Sequence, residues 1–212
     1  MITARDFDDL FRTEAAHSRF AATVQLVDPH LPPEIEPYSF LSSSLLDAVL
    51  HGLDLRPGHR LVDLGCGRGG PGLWLARRTR ASLVGIDFSQ IATSQAYHRA
   101  GAIAPPAAAH FVVADRTATG LASHVADAAV SIDAMQYASD RVTAAREARR
   151  ILRPGGRLVL TGWHPRIPGD PRLPARHRHS NWPADLGTAG FTGVRCLTDE
   201  RWDRTGRPSR WR

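Results

Sequence analysis

Short apolar runs alternate with amphipathic segments through the middle of the chain. Five runs rich in Val, Leu, Ile and Ala predict strands over residues 60–64, 82–87, 110–114, 127–132 and 157–162. Segments with helical spacing fill the intervals, at 71–79, from Ser89 to about Arg99, at 140–152 and, more weakly, near 118–124. Such alternation is typical of a parallel sheet covered on both faces. The pattern therefore predicts an α/β fold with a doubly wound, mostly parallel sheet.

The residues on either side of this core have different patterns. Apolar positions at helical spacing within 4–28, and again after a candidate cap at Ser39, predict an N-terminal helical lid. Beyond the fifth strand, residues 163–182 form a polar loop, and a short helix over 183–190 and a sixth strand over 192–197 are predicted. We expect three parts: a lid and substrate segment at 1–54, the sheet core at 55–198 and a polar tail at 199–212.

Composition narrows the class of protein. The chain has 212 residues, 42% of them hydrophobic, which suits one domain with a substantial core. Its net charge of +6 comes from scattered arginines and no lysine, so we expect no nucleic-acid partner. Its two cysteines, Cys66 and Cys196, form no disulfide framework. Without a leader-like N-terminus or a long apolar run, we expect a soluble cytoplasmic protein with no membrane partner.

A glycine-rich turn follows the first strand and marks the candidate ligand site. Gly65, Gly67 and Gly70 match Gly-x-Gly-x-x-Gly, which alone suggests a dinucleotide site. Asp63 adds a carboxylate inside the strand, where burial demands a donor or a cation such as a ligand's ammonium group. Asp87 ends the second strand at the distance expected of a carboxylate that accepts ribose hydroxyls, although it could instead cap the next helix.

Five motifs in order carry a family resemblance. They are Leu-Val-Asp-Leu-Gly-Cys-Gly-Arg-Gly after Arg60, Gly-Ile-Asp-Phe at 85–88, Ala-Asp at 114–115, Asp-Ala-Ala-Val-Ser-Ile at 127–132 and Arg-Ile-Leu-Arg-Pro-Gly-Gly-Arg-Leu at 150–158. From residue 38 to about 197 the chain resembles the Rossmann-like class I S-adenosylmethionine-dependent methyltransferases. The resemblance is closest to the branch that methylates small molecules in bacterial secondary metabolism.

The resemblance implies S-adenosylmethionine as cofactor, a small-molecule acceptor and a role for each matching residue. Asp63 and the backbone of Gly65, Cys66 and Gly67 would hold the methionine moiety. Around the nucleoside, Asp87 would bind the ribose, Phe88 the adenine face, and Asp115 with the Arg116 amide the adenine edge. Ile132 and Asp133 would line the floor beneath the sulfonium. Tyr38 and Phe40 would belong to the closing lid, or would simply pack at a helix start.

Some features depart from the family pattern or leave roles open. The family's seventh, antiparallel strand is not found before Arg212, so the chain could be a fragment, a short variant or a protein that builds its sheet edge otherwise. His164 is the first candidate general base and Asp133 the second, against a solvated loop residue and a pocket wall respectively. His177 and His179 could bind metal only with partners that the sequence does not reveal.

Two other functions remain open from sequence. A nicotinamide-dependent oxidoreductase is supported by the glycine turn and Asp87, but the absence of lysine excludes a Tyr-x-x-x-Lys pair. A truncated, non-catalytic relative of the methyltransferases is supported only by the missing seventh strand.

Overall fold

The computed structural model describes residues 3–16, 19–39, 41–103, 109–165, 167–199 and 202. Within them, five strands form one all-parallel sheet in the order β3-β2-β1-β4-β5. The strands are Arg60–Leu64 (β1), Ser82–Asp87 (β2), Ala109–Val113 (β3), Ala126–Ile132 (β4) and Leu152–Thr161 (β5). The predicted α/β sheet is confirmed, and each strand begins within five residues of its predicted start.

Helices precede and connect the strands. They are Ala4–Ala16 (α1), Arg19–Val27 (α2), Ser43–Leu53 (α3), Gly70–Thr79 (α4), Gln90–Ile103 (α5), Arg141–Ile151 (α6), Ala175–Arg178 (α7) and Trp182–Thr188 (α8), with short 3-10 helices at Pro33–Ile35 and Met135–Tyr137. Ser42, not Ser39, caps α3, because its Oγ accepts the Leu45 amide at 3.2 Å. None of the described helices has both the length and the apolar character that a membrane-spanning segment needs.

The strand residues alternate between two apolar layers. Leu61 of β1 and Leu83 of β2 face α3 and α4, whereas Val62 and Leu64 pack with Ile151 of α6 on the other side. Helices on both faces make the sheet doubly wound. Strand order reverses between β1 and β4, and ligands of open α/β sheets bind beyond the carboxyl ends of the strands at such a reversal.

Two predicted elements are wrong. Residues 192–197 are irregular and not a sixth strand, since Leu197 is 68% exposed, Gly193 has φ +65° and no described strand lies alongside to form a ladder. The predicted weak helix near 118–124 is mostly irregular, with a bridge from Ala118 to Asp115 and a turn at 123–124. Its backbone is engaged by α6 instead: Thr119 donates its amide to Glu147 at 2.8 Å, and Arg150 donates to the Leu121 carbonyl at 2.7 Å.

The chain before β1 packs directly on the start of α4. A Cβ built on Gly70 would stand 1.7 Å from the carbonyl oxygen of Ile35, which is fully buried. Real Cβ atoms do not approach an oxygen so closely, so only glycine fits. The loop around Ile35 and the glycine turn therefore form one packed unit.

Substitution at Gly70 tests this contact. We expect Gly70→Ala to lower the free energy of unfolding by about 2–4 kcal/mol, because backbone must shift on both sides of the contact. Gly101→Ala in α5 is the matched control: nothing lies within 4 Å of its added methyl group, and greater helix propensity should stabilise the protein by about 0.5–1 kcal/mol. Chemical denaturation measures both; equal stabilities would contradict the close contact.

Candidate functional site

The glycine turn joins β1 to α4 with its N–H groups already engaged. Gly65 has φ +84°, a conformation that glycine adopts readily. The amides of Gly65 and Cys66 donate to the Ile86 carbonyl at 2.7 and 2.9 Å, and the Gly67 amide donates to Asp87 Oδ2 at 2.8 Å. The turn is thereby tied to the end of β2. What it offers a ligand is close approach to bare backbone rather than these three donors.

Asp63 is a carboxylate buried under the turn. Only 3% of its surface is exposed, and a Cβ on Gly72 would stand 2.5 Å from its Oδ2. Burial, followed by the negative charge of Asp87, raises the pKa of Asp63 to about 7. A cationic ligand group placed beside this carboxyl would favour its ionised form.

Asp87 stands at the carboxyl end of β2 and connects the turn to α5. Its Oδ1 accepts the Ser89 amide at 2.9 Å, while its Oδ2 accepts the Gly67 amide. Burial raises the pKa of Asp87 above its ordinary value, although both amides and the Arg116 charge oppose the shift. The Ser89 contact matches the helix-start interpretation of Asp87, and the Gly67 contact also places the carboxylate at the turn.

The residues predicted to surround an adenine differ in how far they are exposed to solvent. Phe88 is half-buried, and the Arg116 guanidinium carbon lies 4.8 Å from its ring centroid. Arg116 is itself buried and donates to the Ala134 carbonyl at 2.7 Å. Asp115 is exposed, and its Oδ1 accepts from the amide and hydroxyl of Thr117. The family resemblance implied a role only for the backbone amide of Arg116. The structure shows that its side chain also packs against Phe88.

Ile132 ends β4 and Asp133 follows it, at the position predicted for the floor of the site. Asp133 has φ +52°, its amide donates to Thr161 Oγ1 at 2.9 Å, and that hydroxyl donates back to Asp133 Oδ1 at 3.1 Å. This pair orients the Asp133 carboxyl at the carboxyl edge of the sheet. Tyr137 lies in the following 3-10 helix, with the Arg176 guanidinium 5.1 Å from its ring centroid.

The three candidate histidines sit in different surroundings. His164 follows β5 and is exposed, as is His179. His177 is buried, with its ring 5.9 Å from that of Trp163, and burial with the nearby charges of Arg176 and Arg141 lowers its pKa to about 4. In the part of the chain that the structure describes, no group of His, Cys, Asp or Glu side chains could hold a metal ion.

Helix α1 lies in the segment predicted to form an N-terminal lid, and it packs over the ends of β2 and β4 through residues that the sequence did not single out. Phe7 lies 5.3 Å from Phe88 and 5.4 Å from Tyr137, between ring centroids, and so connects the β2 and β4 ends. Asp8 Oδ1 accepts the Ser89 hydroxyl at 2.5 Å and the Ile91 amide at 3.2 Å. In the sequence, the i, i+4 spacing of Phe7 and Phe11 indicates an aromatic face on this helix. The spacing does not indicate what that face contacts.

Tyr38, one of the two predicted lid residues after α2, lies near the glycine turn. Tyr38 is 44% exposed, and its ring centroid lies 5.8 Å from that of Phe11. Phe11 in turn comes within 3.5 Å of the Cβ position at Gly67. Phe40 lies outside the described residues. Tyr38 therefore reaches the turn through an aromatic neighbour.

Comparison with known proteins agrees with this geometry. Residues 62–160 match the family model described as a methyltransferase domain. That segment runs from β1 to β5 and includes the turn and both buried carboxylates. Residues 62–160 are a methyltransferase domain.

The chain is also similar to individual proteins and solved structures. Methyltransferase GfsG of Streptomyces halstedii is 33% identical over 129 residues, 61% of this chain and 46% of that protein. The crystal structure of the [4+2]-cyclase SpnF has a TM-score of 0.64 at 31% identity, over 69% of this chain and 56% of that one. A geranyl diphosphate methyltransferase in complex with S-adenosylmethionine has a TM-score of 0.55 at 28% identity, over 59% of this chain and 52% of that one. The chain thus spans about half the length of these relatives.

The domain's own residues fit S-adenosylmethionine. Glycines at positive φ allow the backbone of the turn to approach a ligand closely, and Asp63 supplies a buried carboxyl suited to the ammonium group of the methionine moiety. Asp87 and Phe88 supply an acceptor and an aromatic face at the neighbouring strand end. These contacts remain predictions residue by residue.

The raised pKa of Asp63 predicts pH-dependent ligand binding. If the ammonium group of S-adenosylhomocysteine binds ionised Asp63, affinity should level off above pH 7. It should fall about tenfold per pH unit below that value, because the protonated carboxyl must then lose its proton. Calorimetric titration from pH 5.5 to 8.5 measures this slope. Asp63→Asn should bind more weakly and lose the slope; an unchanged slope in that variant would assign the proton to another group.

Proposed function

We propose that this chain transfers a methyl group from S-adenosylmethionine to a small-molecule acceptor. The observation that carries the proposal is the domain match over residues 62–160 together with two buried carboxylates, Asp63 and Asp87, at one glycine turn. The geranyl diphosphate methyltransferase neighbour, by its description, acts on a small molecule and binds this cofactor. Secondary metabolism is the proposed setting. The domain match favours this function over the nicotinamide-dependent oxidoreductase.

Positioning is the main chemical task of such a site. Bound S-adenosylmethionine supplies a methyl group on a positively charged sulfur, open to in-line attack. Orientation in the best intramolecular models contributes roughly 7–11 kcal/mol to rate, so a rigid floor and cover matter more than acid–base groups. Ile132 and Asp133 form the floor. Phe7 is proposed to exclude water from above, since it lies between Phe88 and Tyr137.

A base is needed only for an acceptor whose nucleophile carries a proton. His164 and Asp133 are proposed for that role because both follow strands at the carboxyl edge. Asp133 is already oriented through the Thr161 hydroxyl. His164 is exposed and can therefore exchange protons with solvent after turnover.

Ligand titration is the first test. We expect S-adenosylhomocysteine to bind and NAD not to bind the purified chain; binding of NAD alone would support the oxidoreductase instead. A screen of acceptors with methyl-labelled donor then follows. Label in the product is the required readout, because the [4+2]-cyclase among the structural neighbours shows that loss of substrate alone does not establish methyl transfer.

Asp87 provides a residue-level test of the cofactor site. We expect Asp87→Asn to weaken S-adenosylhomocysteine binding about 10- to 100-fold, because hydrogen bonds to a charged acceptor are worth ~1.5–3 kcal/mol. Asp47→Asn, which also removes one carboxylate but from an exposed position on α3, should leave affinity unchanged. Equal affinities for both variants would remove Asp87 from the site.

His164 provides the corresponding test of the base. With a hydroxyl acceptor, His164→Ala should lower kcat about 10²- to 10⁴-fold and leave cofactor affinity unchanged, since only proton transfer is lost. His179→Ala removes another exposed histidine from the same connecting segment and should keep full turnover. Full turnover in His164→Ala would leave Asp133 as the candidate.

A further inference from the structure

One arginine of α5 joins the loop before β1 to the glycine turn. Arg99 donates from Nη1 to the Arg68 carbonyl at 3.0 Å and from Nη2 to the Glu34 carbonyl at 2.5 Å. Its Nη2 also lies 3.7 Å from Glu36 Oε2. A single planar guanidinium thus bonds to backbone on both sides of the contact between Ile35 and Gly70, and its fixed fork suits such bridging.

Glu36 completes this connection. Its Oε2 accepts from Arg68 Nη2 at 3.1 Å, so one carboxylate sits between two guanidinium groups. The Arg99 and Arg68 side chains are only 16% and 19% exposed and Glu36 is 37% exposed, so the guanidinium side of these contacts is largely shielded from solvent. Glu36 also has φ +39°, a left-handed conformation that a non-glycine residue keeps only when its surroundings hold it.

The fixed loop leads into the cover of the cofactor site. Two residues beyond Glu36, Tyr38 packs against Phe11, and Phe11 lies against the turn at Gly67. Holding the Glu34–Glu36 backbone on the turn therefore fixes where this aromatic cover sits. Arg99 is remote in sequence from both parts it joins: 31 residues separate it from Arg68, and 65 separate it from Glu34.

We propose that Arg99 is a positioning residue for the cofactor, which it holds indirectly by fixing the Glu34–Tyr38 loop over the glycine turn. This role rests on the proposed function, since it presumes that the turn binds S-adenosylmethionine. It differs from a purely structural role in its consequence. Loss of the guanidinium should cost cofactor affinity in protein that is still fully folded, because binding must then also order the loop.

The experiment compares Arg99→Met with Arg149→Met in the full chain. Arg149 also donates to a backbone carbonyl, that of Gly190 at 2.9 Å, but it lies on α6, which packs on the opposite face of the sheet. At a temperature where both variants are folded by circular dichroism, we expect S-adenosylhomocysteine to bind Arg99→Met about 10- to 100-fold more weakly than wild type. Arg149→Met should match wild type. Arg99→Lys, which keeps the charge but not the fork, should fall between.

The outcomes separate the two proposals. Wild-type protein that fails to bind S-adenosylhomocysteine overturns the proposed function and this role with it. Wild-type affinity in folded Arg99→Met overturns the role of Arg99 alone. If Arg99→Met does not fold, Glu36→Gln decides: it keeps both backbone bonds of Arg99 and should still weaken binding about 3- to 10-fold by loosening the ion pairs. Unchanged affinity in Glu36→Gln then overturns the role.

Discussion

The whole site depends on how closely three parts of the chain approach one turn. Ala134 from beyond β4, Ile35 from the N-terminal loop and Asp63 from β1 each occupy space where a Cβ on the turn or the first turn of α4 would stand. Because Gly65, Gly70 and Gly72 leave that space open, the strand ends, the loop and the helix can meet at one point. The candidate cofactor site is this meeting point, so its glycines serve packing as much as ligand access.

Close packing at this point also brings two carboxyls into a poorly solvated space. Burial raises the pKa of both Asp63 and Asp87 above the values they have in an unfolded chain. For an acid shifted upwards, the unfolded state releases its proton first as pH rises. For Asp63 the free energy of unfolding therefore decreases from about pH 4 up to its raised pKa near 7, and stays lower above it. The buried carboxyls therefore lower the free energy of unfolding at neutral pH. A cationic ligand group beside them would restore part of that free energy. Other binding sites also lose stability in exchange for function.

The sequence predicted those features whose causes are local. The apolar runs located β1 and β2 to the residue, and the glycine turn with Asp87 predicted a site at the carboxyl edge of the sheet, where the structure places both. Two predictions failed because their determinants are distant. Residues 192–197 have strand-like composition but no adjacent strand among the described residues, and 118–124 bond to Glu147 and Arg150 instead of forming helix.

The N-terminal lid was predicted, but its contacts with the site could not be found from the sequence for the same reason. The bond between Asp8 and Ser89 spans 81 residues, and an N-terminal helix with an apolar face looks alike whether it packs on a core or on a ligand site. Distance in sequence does not make such contacts weak. Two of the three Arg99 contacts run to neutral, part-buried carbonyls, so salt should screen them less than the exposed pair of Arg157 and Asp54. A cover held mainly by bonds to backbone therefore depends less on ionic strength than one held only by surface ion pairs.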